Sequence, residues 1–430
     1  MFVLTHSGSE AMADGAFDLA REARERAWST PLEEFQVADI EHFVTDTHWP
    51  WFERLRAEDP VHWCPQSEFG PYWSITKHRD IVAVDGDSGV FSSSSELGGV
   101  AIVDNVETND TSSFISLDPP RHEAQRKVVT PMFSTESMAT LGPLIRERAA
   151  RILDELPVGE TFDFVDRVSV ELTSQMLATL FDFPFEHRRM LPRASDLLLA
   201  TPGPDAIVQT EEERMGEMFA TFGQFKMLWD ERKGSARRDD LISMLANDAA
   251  TTGEDPFKYM GNVVLLVVAG SDTTRHSISG AALAFHRNPD AYDRLRADPA
   301  LLESAVPEII RWQTPVAHMR RTALADREVG GKTIRKGDKV VMWYVSGNRD
   351  EEVIPDADAF VIDRARPRQH LSFGFGIHRC VGNRLAEMQL RVIWEEILQR
   401  FPRIEVMAEP TRVYSSFVKG YEYLPVRIPA

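Results

Sequence analysis

One long helix, apolar on every side of its middle, dominates the fold prediction for this chain. Asp255 is a good N-cap, and Pro256 is favoured at the first helical position. The helical pattern then continues to Arg287, where the pair Asn288 and Pro289 ends it. Such a helix spans roughly 48 Å at about 1.5 Å per residue. Because its middle offers no polar face to water, the sequence predicts that it runs through the core of a large domain.

The rest of the pattern predicts a mainly α fold with small β-sheets. Helical periodicity prevails over residues 119–248, and a last long helix is predicted over Asn383–Phe401. Short strands are predicted at both ends of this helical region, over Val61–Trp63, Tyr72–Thr76 and Lys339–Val345. The pattern therefore predicts a helix-dominated domain in which the sheets are minor elements.

The chain has no internal repeat, no linker and no second composition regime, which favours one domain. Within it, residues 1–59 are predicted to form an N-terminal arm and the first helices, and residues 60–430 the main domain. Too few residues follow Cys380 for a fused reductase domain, so we expect none.

Charge and hydropathy exclude several classes of protein. Acidic residues outnumber basic ones by 67 to 48, and the net charge of −19 argues against binding to nucleic acid or to anionic membranes. The longest apolar run, Val263–Ala269, is far shorter than the roughly 20 residues that span a bilayer. The N-terminus lacks a secretory apolar segment, and the chain has only 2 cysteines. We therefore expect a cytoplasmic protein.

The segment around Cys380 carries the strongest chemical signal. Its pattern is Phe373-x-x-Gly376-x-x-x-Cys380-x-Gly382, and a predicted helix follows at once. Glycines on both sides of a cysteine indicate a tight loop with bare backbone N–H groups. Those groups, together with the positive end of the helix, stabilise a thiolate. Zinc is disfavoured because only His378 lies near Cys380 at ligand spacing.

This loop resembles the haem-binding signature of the cytochrome P450 family. The resemblance implies a P450 fold with haem b (iron protoporphyrin IX) between the long helix and the cysteine loop. It also implies that Cys380 is the axial ligand of the iron and that Phe373, Gly376 and Gly382 shape the cofactor site. Thiolate ligation pushes electron density to the iron and favours O–O cleavage. The chain is thereby identified as a haem-thiolate monooxygenase that inserts one oxygen atom of O₂ into a C–H bond.

The middle of the long helix contains the run Ala269-Gly-Ser-Asp272-Thr273-Thr. Its polar and glycine residues are poor helix formers, so they weaken the helix at its centre. The run resembles the oxygen-activation motif of the family. Because O₂ activation needs protons in a dry pocket, Asp272 and Thr273 are the candidate catalytic residues.

Two further motifs resemble the family. Glu308 and Arg311 stand at i, i+3 spacing, and the resemblance makes them a buried structural pair that Arg364 completes. Cations suited to the two haem propionates occur at matching places. They are His122, Arg126, Arg321 and His378, with Arg320 as an alternative to its neighbour.

Three stretches are similar in sequence to the soluble bacterial terminal hydroxylases of alkanes and fatty acids. They are Gln313–Thr322, His370–Arg384 and Phe417–Tyr421. One departure is Gly270-Ser271, where members more often have Gly-Asn. The expected substrate is an apolar small molecule, a medium-chain alkane or fatty acid hydroxylated at its terminal carbon. Its predicted contacts are Leu265, Val268, Ala269, Val316, Met319, Phe417 and Val418.

The resemblance implies that electrons come from NAD(P)H through a ferredoxin and its reductase to a monomeric enzyme. Three alternatives stay open at this point. One is hydroxylation of a terpene or sterol-like substrate. Another is a peroxide-driven haem-thiolate enzyme, and the third is a non-enzymatic haem carrier. The pair Asp272–Thr273 argues against the last two, because neither needs to protonate bound dioxygen.

Overall fold

The helices follow one another along most of the chain, in a computed structural model that describes residues 7–104, 113–199, 207–236, 238–252 and 256–430. The helices are α1 (Ser7–Ser29), α2 (Ile40–Val44), α3 (Trp49–Glu58), α4 (His78–Gly86), α5 (Arg121–Val129), α6 (Thr135–Asp154), α7 (Glu171–Phe181), α8 (Met190–Leu199), α9 (Glu211–Arg232), α10 (Leu241–Ala246), α11 (Pro256–Arg287), α12 (Pro289–Ala297), α13 (Leu302–Gln313), α14 (Tyr344–Gly347) and α15 (Asn383–Arg400).

The strands are short and group into small sheets. They are β1 (Val61–Cys64), β2 (Tyr72–Ile75), β3 (Phe91–Ser92), β4 (Thr161–Asp163), β5 (Met319–Ala323), β6 (Arg327–Val329), β7 (Lys332–Ile334), β8 (Lys339–Met342), β9 (Glu405–Val406), β10 (Thr411–Arg412), β11 (Tyr421–Tyr423) and β12 (Pro425–Arg427). The largest sheet has the order β1-β2-β8-β5-β3, and only its β2–β8 pair is parallel. The prediction of a mainly α fold with small β-sheets is confirmed.

Helix α11 is the long central helix that the sequence predicts. Val263, Ile278 and Ala281 on it are fully buried, and it packs against α7, α8, α13 and α15. The predicted N-cap Asp255 lies outside the described residues. Because other helices pack on several sides of α11, it carries apolar residues around its whole circumference and not only along one face.

Several element boundaries have local causes, and β8 is shorter than the predicted strand Lys339–Val345. Strand β8 ends at Met342 because residues 344–347 turn into α14. Helix α6 begins at Thr135, where the Ser134 hydroxyl accepts a hydrogen bond of 3.2 Å from the amide of Ser137 and caps the helix. A π-helical turn, Val165–Val170, directly precedes α7.

The N-terminal helix α1 packs against α3. Ala27 on α1 is fully buried, and Arg24 on the same helix forms a bidentate pair with Glu53 of α3 at 2.6 and 2.9 Å. None of the helices in the described part of the chain is long and apolar enough to cross a membrane.

Candidate active site

A large apolar cavity lies between α11, the cysteine loop and the segment that joins α13 to β5. It holds about 1460 Å³ of empty space, including its opening. Cys380, Thr273, Arg126, Arg321 and His378 line it. Its apolar wall includes Phe114, Ile115, Phe133, Met176, Leu177, Leu180, Leu241, Leu265, Leu266, Ala269, Ile310, Val316, Met319, Phe373 and Leu385.

The loop before α15 holds Cys380 at the cavity wall. Its amide donates to the Phe373 carbonyl at 2.8 Å. Gly376 has φ of +65°, and a Cβ there would lie 2.4 Å from the backbone oxygen of Asp85, so only glycine fits. Gly382 lies in the cavity wall one residue before α15 begins. The glycines therefore serve the close packing of this loop.

Burial raises the pKa of the Cys380 thiol, while the Gly382 amide, Arg126 and Arg379 act to lower it. The groups that oppose the effect of burial on this pKa are those that stabilise a thiolate. This donor set suits a thiolate bound to a metal ion, which would supply the opposite charge directly.

Asp85 anchors the cysteine loop through hydrogen bonds, a role that no sequence pattern indicates. Its buried carboxylate accepts hydrogen bonds from the Tyr344 hydroxyl and the Phe375 amide, both at 2.8 Å. The same carboxylate accepts from Arg321 at 2.6 Å. No local motif marks this aspartate, because its partners come from distant segments of the chain.

The basic side chains gather on one side of the cavity. Arg126 and Arg321 reach its wall, and the rings of His122 and His378 lie 4.3 Å apart. Arg320 is turned to the other face of β5, where it pairs with Asp104 at 2.5 Å. Because neighbouring residues of a strand face opposite sides, Arg321 is the one that faces the cavity.

Three ring nitrogens of these histidines lack partners within the described residues, while Nε2 of His378 lies 3.0 Å from the Ser93 hydroxyl. Both ring nitrogens of the buried His122, and Nδ1 of His378, accept or donate no hydrogen bond. Burial lowers the pKa of His122 to about 4 and that of His378 to about 2. Buried polar atoms are normally paired, so these rings together with two arginines fit the acid groups of haem.

The side chains of Thr273 and Asp272 point in different directions from α11. The Thr273 hydroxyl faces the cavity and donates to the Ala269 carbonyl at 2.7 Å. Asp272 lies outside the cavity wall, where it accepts from the Ser195 hydroxyl at 2.9 Å and pairs with Arg275 at 3.1 Å. Arg275 also pairs with Asp196 at 2.5 Å. The acid and the alcohol are neighbours in sequence, but only the alcohol opens directly onto the cavity.

Asp272 has an unusual pKa for a carboxyl group. Burial raises it to about 6, Arg275 acts against the rise, and Asp196 adds to it. This value brings the proton of Asp272 within reach of exchange near neutral pH. The partners Ser195 and Asp196 were not predicted from the sequence, since α8 meets α11 only in the folded chain. Arg275 lies on α11 at i, i+3 spacing from Asp272, a local signal that the sequence analysis did not use.

Glu308, Arg311 and Arg364 form one buried network. Arg311 contacts Glu308 through two hydrogen bonds of 2.7 and 2.8 Å, and Arg364 Nε donates to the same carboxylate at 2.8 Å. The Val361 amide adds a fourth bond of 2.7 Å. Arg311 also donates to the carbonyls of Asn348, Ala357 and Ala359. The network ties α13 to the segment that leads into the cysteine loop.

The predicted substrate contacts divide into two groups. Leu265, Ala269, Val316 and Met319 line the cavity, whereas Val268, Phe417 and Val418 do not. Val268 precedes Thr273 by five residues, which turns it about 140° away on a helix of about 3.6 residues per turn. Val418 forms an antiparallel β-bridge with Val316, and the Phe417 ring lies against His318.

Helix α7 contributes a wall that the sequence analysis did not predict. Thr173, Met176, Leu177 and Leu180 line the cavity. A Cβ on Gly270 would lie only 2.7 Å from Leu177 Cδ2, so the glycine lets Leu177 approach beside Ala269. A buried apolar helix was the only signal, and it does not tell which face lines a cavity.

Comparisons with known proteins agree with this geometry. The Cytochrome P450 family model matches residues 209–413. Over 385 residues the chain is 38% identical to Linalool 8-monooxygenase of Pseudomonas putida, which covers 87% of this chain and 94% of that relative. It is 31% identical to Methyl-branched lipid omega-hydroxylase of Mycobacterium tuberculosis, over 93% of this chain and 97% of the relative. The solved structure of Cytochrome P450-153 from Novosphingobium aromaticivorans shares 41% identity with a TM-score of 0.84, over 91% of this chain and 98% of that one.

Proposed function

The chain belongs to the cytochrome P450 family and is a haem-dependent monooxygenase, and we propose that it hydroxylates the terminal carbon of a medium-chain alkane or fatty acid. One observation carries the proposal: a single apolar cavity is lined by Cys380, by the Thr273 hydroxyl and by aliphatic side chains. When bound, haem supplies the iron at which O₂ is activated, and a thiolate ligand favours O–O cleavage.

In this proposal each polar residue of the cavity has a separate task. Cys380 holds the iron through its thiolate, and Arg126, Arg321, His122 and His378 hold the two propionates. The unpartnered ring nitrogens of His122, and Nδ1 of His378, support that assignment. The apolar wall excludes water, which strengthens every polar contact inside the cavity.

Thr273 and Asp272 are proposed to move protons to the reacting centre. The hydroxyl faces the cavity, while the carboxyl behind it is held by Ser195 and Arg275. The acid reaches the cavity through a shift of its side chain or through a water held beside the alcohol. Such a relay is unnecessary in a peroxide-driven enzyme or a haem carrier.

Thr273→Ala is expected to consume NAD(P)H and O₂ but to release peroxide in place of product. Product formed per NAD(P)H should fall about tenfold or more, because the hydroxyl that positions the proton is lost. Peroxide and product are measured together in the reconstituted enzyme. Ser279→Ala is the matched control, since Ser279 lies on the same helix and bonds to Ser169 rather than facing the cavity. Full coupling in Thr273→Ala would rule out the relay.

The pH dependence provides a second measurement of the same relay. Because the pKa of Asp272 is about 6, the carboxyl carries its proton below that pH and loses it above. The coupling advantage of the native protein over Asp272→Asn should be greatest below about pH 6 and should shrink as pH rises. An advantage that stays constant from about pH 5 to about pH 8 would contradict this assignment.

The substrate proposal rests on the shape of the apolar wall and on the relatives. Terminal C–H bonds are the strongest in a chain, so terminal attack demands a constriction that admits only the methyl end. Leu177, Leu265, Ala269 and Val316 stand where such a constriction would lie, around Thr273. One relative is named an omega-hydroxylase. Each buried methylene adds about 0.8 kcal/mol, so affinity should rise with chain length until the cavity is full.

Product analysis with octane and with dodecanoic acid tests this proposal. We expect the terminal alcohol of at least one of them as the main product. A second candidate is a terpene hydroxylase, favoured by the 38% identity to Linalool 8-monooxygenase. Turnover of linalool with neither octane nor dodecanoic acid accepted, or mainly inner-chain alcohols, would overturn the terminal assignment for unbranched chains.

For electron supply we propose NAD(P)H through a ferredoxin and its reductase, acting on a monomeric enzyme in the cytoplasm. Five arginines are exposed around the cysteine loop, on a chain whose net charge is −19: Arg366, Arg368, Arg379, Arg384 and Arg391. Arg368 and Arg391 have acidic neighbours in Glu387 and Glu395. A basic patch on an acidic body suits an acidic iron–sulfur protein.

Turnover with a ferredoxin is therefore expected to slow severalfold when ionic strength rises from about 0.01 to about 0.15 M. Salt shortens the Debye length from about 30 to about 8 Å and screens the attraction. Arg384→Gln should weaken the salt dependence, whereas the exposed Arg296→Gln outside the patch should leave it unchanged. Rates indifferent to salt would count against electrostatic docking at this face.

A further inference from the structure

A second recess lies between the N-terminal helices and the C-terminal half of α11. It holds about 1500 Å³ of empty space, including its opening. Residues of α1 and α3 form one side, and Trp312, Arg349 and Lys419 reach it from later segments. None of the described residues lines both this recess and the catalytic cavity. It is therefore a separate site, which the monooxygenase chemistry does not use.

The recess is basic on a protein that is acidic as a whole. Six of its lining residues are Arg or Lys, and three are Asp or Glu. The chain as a whole has 48 basic and 67 acidic residues. This reversal of sign makes the recess a local attractor for negative charge.

Two of these cations have no acidic partner among the described residues. Arg56 donates to the Ser346 hydroxyl at 3.0 Å, and the Lys419 ammonium donates to the Gln313 carbonyl at 2.9 Å. Neither forms an ion pair. Burial lowers the pKa of Arg56, with Asp358 acting against the shift. Burial also lowers the pKa of Lys419 to about 8, where Asp46 acts against the shift and Arg349 adds to it. A partly buried cation whose acidic neighbours lie beyond ion-pair distance is costly, and an anion in direct contact would relieve that cost.

Aromatic rings hold the cations together in the recess. The Arg349 guanidinium is sandwiched between Trp312, at 3.9 Å from the ring centroid, and Trp49, at 4.3 Å. The Lys419 ammonium lies 5.4 Å from the same Trp49 ring. Two cations thus share one indole. Cation–π attraction compensates for part of their repulsion but leaves the net positive charge unbalanced.

The carboxylates nearby leave the charge of the recess incompletely balanced. Asp358 contacts Arg349 at 3.2 Å, but its side chain is 66% exposed, so water screens it. Glu53 is held by Arg24, and Asp46 lies 3.8 Å from Arg287 and 3.6 Å from Arg412. None of the three contacts Arg56 or Lys419.

We propose that this recess binds a small organic anion, a carboxylate on a flat apolar body, with the carboxylate between Arg56 and Lys419 and the body against the small residues of α1 and α11. Ala20, Ala23 and Ala284 line the recess and leave room for a flat group. Arginine and lysine match a carboxylate, and the alanine side chains match the apolar body.

Calorimetric titration of the haem-loaded protein tests the proposal, with 2-naphthoate as the probe and neutral 2-naphthamide as its matched control. We expect 2-naphthoate to bind at one site at least tenfold more tightly than the amide. The Soret band should stay unchanged, because the haem cavity is not involved. Equal affinities for the two probes, or a Soret shift that follows the binding curve, would overturn the proposal.

Substitutions locate the binding. Lys419→Met and Arg56→Gln should each weaken 2-naphthoate binding at least tenfold, while Arg56→Lys, which keeps the charge, should retain most of it. Arg151→Gln removes an exposed cation on α6 and serves as the control. An unchanged CO-bound spectrum confirms that each variant is folded. Binding that survives both charge-removing substitutions, or binding of inorganic phosphate without 2-naphthoate, would contradict an organic-anion site here.

Discussion

Cys380→Ser is expected to abolish the long-wavelength Soret band of the reduced, CO-bound protein and with it all monooxygenase activity. A serine hydroxyl is far less acidic than a thiol and does not supply the electron density that a thiolate gives to iron. The loop itself should survive the change, because its form depends on Gly376 and on the 2.8 Å bond from the Cys380 amide to Phe373. The loss is therefore one of ligation, seen in the spectrum before any assay.

Cys64→Ser is the matched control, since Cys64 is the other cysteine of the chain. It is buried on β1, and its thiol lies 3.6 Å from the carbonyls of Phe35 and Gln66. Burial raises its pKa, as expected for an inert structural thiol. This variant should keep the native spectrum. The opposite outcome, with the band lost in Cys64→Ser and kept in Cys380→Ser, would reverse the assignment of the haem ligand.

Glu308→Ala is expected to lower the free energy of unfolding by about 3–5 kcal/mol and to leave most of the protein without haem. Glu308 is fully buried and accepts hydrogen bonds from Arg311, Arg364 and the Val361 amide. Its removal leaves two guanidinium groups without their shared counter-charge. Because Arg364 belongs to the segment before the cysteine loop, the loop loses its anchor at the same time.

Urea unfolding and the ratio of haem to protein measure the two effects. Glu147→Ala is the control, since Glu147 pairs with Arg151 at 3.4 Å on α6 with both side chains more than half exposed. That exposed pair should contribute well under about 1 kcal/mol. A Glu308→Ala protein as stable as Glu147→Ala and fully loaded with haem would show that the network does not support the loop.

The elements that the sequence predicted best are those with a strong local pattern. Helix α11 ends at Arg287 as predicted, since the pair Asn288–Pro289 stops a helix in any context. The glycine-flanked cysteine loop and the spacing of Glu308 and Arg311 were predicted equally well. Their residues are close in sequence, so one short segment contains the whole signal. The family resemblance read from these segments is confirmed by the comparisons.

Other features depended on segments that meet only in the folded chain. The choice between Arg320 and Arg321 follows from the pairing of β5 with β8, and the outward turn of Asp272 follows from the docking of α8 on α11. The part of the cavity wall that α7 forms likewise depends on segments that meet only in the folded chain.

By itself, then, the sequence determined the long central helix, the cysteine loop and the ion-pair motif, because neighbouring residues alone decide caps, turns and i, i+3 spacing. Only the tertiary structure decided which side chains face the cavity and how Arg349 and Lys419 meet at Trp49. Those arrangements depend on burial and electrostatics between segments that are distant in the chain, and no local pattern encodes a contact at such a separation.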